Sequence, residues 1–365
     1  MRQFPRTTLL AIVATCVAQL HADASPRFPA SATWYQDISA PALKRTDSDL
    51  IIAHVGALGG WGAANLQTDL SSYVLHADAG VSATPVVAPQ GGGYVAPDCG
   101  ALGMPLLAPE PKPIPLPTGG GISGTDPPSY SCAAGDCLLL VVQNQTLYES
   151  FATTVANDTV QSACAVSWDL SKVYPRSQRG EQCINVDGSG LPVAPLLLNA
   201  DDLYAALQVA DGDLGHALRF NLPNNRIKKG VYVHPASSAG SPNDLNVNAL
   251  PYGSRLRLKS TFAIDTFVAG NHATGGNAAD AAARVVLRTL RKYGMVLADG
   301  GNIPLYGESD LYTTHTWAES TFASDTMSGV LITDFEVINT GPDITVTREC
   351  KLTPEDFVFI DGYDY

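Results

Sequence analysis

Positive charge is scarce in this chain. Its 365 residues hold 22 Lys and Arg against 35 Asp and Glu, a formal charge of −13. Such a surface repels phosphate backbones and anionic bilayers, which excludes nucleic acid as a partner. Long apolar runs are missing beyond residue 20, which argues against membrane insertion. The chain has no Gly-x-Ser-x-Gly elbow, phosphate loop, His-Glu-x-x-His pair or dinucleotide fingerprint, so the common serine hydrolases and nucleotide enzymes are set aside. It also has no Cys-x-x-Cys pair and no clustered histidine. Zinc and other tightly held cofactors therefore find no ligand pattern.

The N-terminus holds the one long apolar run. Arg2 and Arg6 precede an apolar run from Leu9 to Leu20, and Ala22-Asp23-Ala24 offers small residues before a cut. This reads as a secretory signal over residues 1–24 with cleavage before Ser25. The remainder, 25–365, is expected to be one secreted or periplasmic domain. Cys16 leaves with the signal. The six remaining cysteines, Cys99, Cys132, Cys137, Cys164, Cys183 and Cys350, suit up to three disulfides in an exported protein. Spacing favours Cys132–Cys137 and Cys164–Cys183 without excluding other pairings.

Residues 85–128 hold eleven prolines and nine glycines, too many for a helix or an inner strand. They are expected to form a long loop on a β scaffold. Strand patterns follow at Cys137–Val142 and Thr146–Phe151, with Asn144 and Gln145 in the turn, and at Ala163–Leu170. Asn199 predicts a helix cap. A second, amphipathic helix is predicted from Ala278 to Tyr293, ended by Gly294. Strand alternation puts Arg255, Arg257 and Lys259 on one face and Leu256 and Leu258 on the other. The expected fold is mostly β: a β-sandwich, jelly-roll-like, with one or two packed helices.

Four stretches carry a resemblance. They are Gly212–Phe220 with His-Ala-Leu-Arg-Phe, Tyr232–Pro235, Gly253–Lys259, and Ala283–Asp299 with Tyr-Gly-Met-x-x-Ala-Asp. The strand from Cys137 to Glu149 and the loop Asp187–Pro192 join them. Together they resemble a family of secreted bacterial proteins, mostly hypothetical ones. The resemblance implies export and a single domain, and brings no activity with it. This chain has Ala236-Ser237 where the family tends to have Arg-His, and Asp299-Gly-Gly where the family often has Asp-Asn-Gly.

Three chemical readings follow. In the first, the basic strip Arg255, Arg257 and Lys259 neutralises a uronate carboxylate and acidifies the adjacent C–H. Tyr232, His234 or His216 removes the proton, making the protein an acidic-polysaccharide lyase. In the second, Glu149, Asp187 and Asp299 supply paired carboxylates for a glycoside hydrolase. In the third, exposed Trp34, Trp61, Trp168 or Trp317 holds sugar without catalysis. All three take a polysaccharide as partner. Each residue alone also has a plain structural role, as a solvated sheet face, a turn acid or a core aromatic. Asp211-x-Asp213 and Asp244-x-Asn246-x-Asn248 present oxygens that suit calcium, but the same pattern builds turns, the favoured reading.

Overall fold

The computed structural model describes residues 27–63, 65–88, 99, 112–132, 137–271 and 276–352. The predicted signal and the middle of the Pro/Gly-rich stretch lie outside them.

The fold is mostly β. A six-stranded sheet sits at its centre, in the order Thr68–Ser72, Leu305–Glu308, Leu218–Leu222, Met295–Gly300, Arg255–Leu258, Phe335–Ile338. Two of its neighbouring pairs are parallel, Thr68–Ser72 with Leu305–Glu308 and Leu218–Leu222 with Met295–Gly300. The others are antiparallel. This is a mixed sheet, not the antiparallel pairing of a jelly roll.

Alternation along the strands builds a core on each face. Leu218, Phe220, Leu222, Leu256, Leu258, Met295 and Leu297 pack with Val286, Leu287 and Leu290 of the helix Gly276–Lys292 and with Ile51 and Val55 of the helix Ser48–Ala57. The other face presents Ala217, Val296 and Ala298. These pack with Val74, Leu140, Leu147, Val166 and Trp168 of a second, four-stranded sheet. That sheet contains the predicted hairpin, Leu139–Gln143 and Thr146–Phe151. Asn144 takes the left-handed conformation its turn requires, at φ 55°. The cap at Asn199 forms as expected, its side chain accepting from Asp201 and Asp202 N–H.

The structure contains three disulfides, the bonds of an oxidising compartment. Cys132–Cys137 is paired as expected. Cys164–Cys183 is not: Cys164 bonds to Cys99 and Cys183 to Cys350. Closeness in sequence misled here, because Cys164 starts a strand of the second sheet while Cys183 lies in a loop beside the C-terminal segment. Among the described residues, no helix is long and apolar enough to cross a membrane.

Candidate active site

A cleft of about 800 Å³ takes its lining from both sheets, with Leu138 and Phe151 on one side and Arg219, Asn221, Asp299 and Tyr306 on the other. The strand Leu218–Leu222 alternates through five buried residues. Its apolar side chains go to the helices, so Arg219 and Asn221 project the opposite way.

Simple alternation would turn Asp299 away from them. On the strand Met295–Gly300, Val296 and Ala298 face the second sheet, and the next residue on that face would be residue 300. The register breaks between Phe220 and Asn221: Phe220 pairs with Leu297, but Asn221 pairs with Asp299. Ala298 is the extra residue of a β-bulge, which re-aims Asp299 to the face of Asn221.

Asp187 arrives on the loop between Cys183 and Val193. One carboxylate oxygen accepts from Ser189 N–H and Oγ–H, and the other accepts from Arg219 at 2.5 Å. The Arg219 guanidinium lies 5.0 Å from the Tyr306 ring centroid, stacked on its face. Asp299 accepts from the backbone N–H of Gly300 at 2.7 Å, and Gly188 packs against its carboxylate. Gly188 allows this approach, because a β-carbon there would lie 2.6 Å from the Asp299 carboxylate oxygen. Gly190 is held at φ 78°, and a β-carbon on it would collide with Ser237 Oγ.

The two acids are unequal. Burial raises both. At Asp187 burial prevails and its carboxyl stays raised, although the Arg219 charge and the Ser189 donors oppose the rise. At Asp299 the charge of Asp187 adds to burial, and its carboxyl is pushed up to about 7. Arg219 is hydrogen-bonded to Asp187 and not to Asp299, an asymmetry that favours the negative charge on Asp187 and the proton on Asp299. Burial also raises the Tyr252 hydroxyl well above its ordinary range, helped by Asp299.

Glu149 stands behind this wall. It is fully buried and accepts from Val193 N–H at 2.7 Å, Ala194 N–H at 3.1 Å and Trp168 Nε1–H at 2.9 Å. Burial pushes it up to about 7. It holds the loop that carries Asp187 and does not line the cleft.

The lyase constellation does not assemble. Leu256 and Leu258 enter the core as alternation requires, but Arg255 and Arg257 do not line an open groove. Residues 33–40 cover them, and their guanidinium groups donate to the carbonyls of Thr33, Gln36, Ile38, Ala40 and Tyr293 and to Glu336. Lys259 lies past the strand and donates to Thr333 O. Tyr232 is buried and donates to Glu181. His234 is also hydrogen-bonded to Glu181. His216 is buried at the far end of the Arg219 strand, with Nδ1 2.9 Å from Ala217 O, and burial lowers its pKa. None of these residues lines the cleft.

The tryptophan platforms are also overturned. Trp34, Trp61, Trp168 and Trp317 are all buried, none more than 6% exposed. The Asx runs are turns. Asp213 accepts from Gly215 N–H, Asp244 from Asn246 N–H and Asn246 from Asn248 N–H. Of their acids, Asp213 pairs with Lys292, Asp211 with Arg288 and Asp244 with His54.

Sequence reasoning named Asp187 and Asp299 but passed over Arg219, Asn221, Tyr252 and Tyr306. The signal for the first two was present, since an arginine and an asparagine alternate with the apolar residues of one short strand. No family model matches the chain, and no curated protein or solved structure matches it.

Proposed function

We propose that the protein is an extracytoplasmic glycan-cleaving enzyme in which Asp299 is the general acid and Asp187 the charged partner. The observation that carries this reading is the meeting of the two carboxyls in one cleft, with Arg219 bound to only one of them. A glycosidic oxygen leaves as an alcohol only if it is protonated, and an acid that titrates near 7 donates at neutral pH. The ionised Asp187 stabilises positive charge developing at the sugar ring. The cleft volume lies in the usual range for ligand pockets, roughly 300–1,000 Å³. Ser72, Asn221, Asn224 and Ser238 in its lining supply the amides and hydroxyls that hydroxyl-rich ligands need. The three disulfides and the family resemblance support export.

The test is a panel of neutral and acidic polysaccharides incubated with the purified chain. Release of reducing ends, greatly slowed by Asp299→Asn, is the expected result. A lyase remains the second reading, because Arg219 Nε is buried without a partner and suits a uronate carboxylate. It would show as a rise in ultraviolet absorbance from unsaturated products. Absence of both products across the panel sinks the enzymatic reading.

A further inference from the structure

A second, smaller cavity lies away from the cleft. It holds about 110 Å³, and its lining includes Arg255, Arg176, His234, Gln36, Asn339 and Asp37. A water's share of liquid is about 30 Å³, so this is room for roughly three waters or one small oxyanion.

Arg255 and Arg257 make a revealing comparison. They are two residues apart on one strand and face the same way. Both clasp the segment 33–40 through its carbonyl oxygens. Arg257 also has a carboxylate, donating through Nε and Nη2 to Glu336 at 3.0 and 2.6 Å. The three hydrogen bonds of Arg255 all end on neutral carbonyls, those of Tyr293, Thr33 and Gln36. The cavity opens at Arg255, whose side chain is buried.

Carbonyl dipoles solvate a guanidinium but do not cancel its charge, and a buried charge without a counter-charge is costly. The one acid in the lining is Asp37, which is exposed, accepts from Ser39 N–H, and supports the Arg255 charge without forming an ion pair with it. Exposed Arg176 adds a second cation at the rim, and Gln36 and Asn339 add amide donors. His234 is tied to Glu181 through Nε2. The lining is thus rich in donors and sets one exposed acid against two arginines.

We propose that this cavity binds a small oxyanion, a carboxylate, sulfate or phosphate group, between Arg255 and Arg176. The anion completes at Arg255 the ion pair that Glu336 completes at Arg257. The site is independent of the glycan-cleaving reading, since none of its residues lines the cleft.

The test is titration calorimetry of the full chain with inorganic phosphate and, separately, with glucuronate, with sodium chloride held constant. Saturable binding of at least one probe is expected. It should weaken about tenfold or more in Arg176→Ala, an exposed change that leaves the fold intact, and also in Arg255→Lys if that variant folds. Tighter phosphate binding assigns the site to a free ion, and tighter glucuronate binding to a group carried on a sugar. The proposal is overturned if neither probe binds saturably. It is equally overturned if Arg176→Ala binds as the parent does, because kosmotropic anions act on any protein surface.

Discussion

Gly188 and the Asp299 carboxylate fit against each other with no room for a side chain, since a β-carbon on Gly188 would stand 2.6 Å from the oxygen. The contact locks the loop bearing Asp187 to the strand bearing Asp299.

Gly188→Ala therefore tests the site more than the fold. The added methyl must push Asp299 off its donor. Overpacking of this kind costs about 1–3 kcal/mol, whereas misplacing a reacting group by about 1 Å costs on the order of 10²-fold in rate. Glycan cleavage should collapse while thermal melting shows a folded protein. A variant with full activity would show that Asp299 need not sit where it does.

Asp299→Asn keeps the shape and removes the proton. If Asp299 is the general acid, turnover should fall by about 10²–10⁴-fold with substrate binding retained. The parent's alkaline limb near pH 7, set by the raised carboxyl, should vanish from the residual activity. A pH–rate profile checks this, and an unchanged alkaline limb would assign it to another group.

Stability should fall as pH rises. Burial lifts Glu149 and Asp299 to about 7 and Glu308 to about 8, from ordinary values of 4.5, 3.8 and 4.5. The folded state therefore keeps protons that the unfolded chain has released. The stabilisation is fully present below about pH 4 and is lost as pH rises through about 7–8. Melting temperature should drop by roughly 5 °C or more between pH 5 and pH 8.5. Asp299→Asn should flatten part of that slope. A melting temperature that holds or rises over this interval would contradict the assignment.

Glu149→Gln probes the support behind the loop. The carboxylate serves three N–H donors. A glutamine offers one oxygen and turns an NH₂ toward a donor, so at least one buried N–H loses its partner, at a cost of about 1–3 kcal/mol. Urea denaturation should show that loss. Activity should fall less than in Asp299→Asn, because Glu149 acts only by positioning Asp187. Stability equal to the parent would mean the loop is held elsewhere.

The elements that depend on neighbours in sequence were readable in advance. The hairpin around Asn144, the cap at Asn199 and the split between Arg255, Arg257 and Leu256, Leu258 follow from turn chemistry and period-two alternation, which need no tertiary partner. Asp187 and Asp299 were visible as candidates, with Glu149, because a glycoside hydrolase needs paired carboxylates. Arg219 was less visible, because alternation puts it opposite the apolar face of its strand without saying what that face meets.

The sequence by itself determined that the chain is mostly β, acidic, and supplied with an even set of cysteines beyond Cys16. It also determined which side chains share a face on regular strands such as Arg255–Leu258. Only the tertiary structure decided what covers each face. Residues 33–40 fold over Arg255 and Arg257 and turn an apparent basic groove into a clasp. A one-residue bulge at Ala298 carries Asp299 from the helix side to the cleft side, where Asp187 meets it from a distant loop. Alternation is a local property of the backbone, while coverage, register and the pairing of distant carboxyls are set by long-range packing that no short pattern encodes.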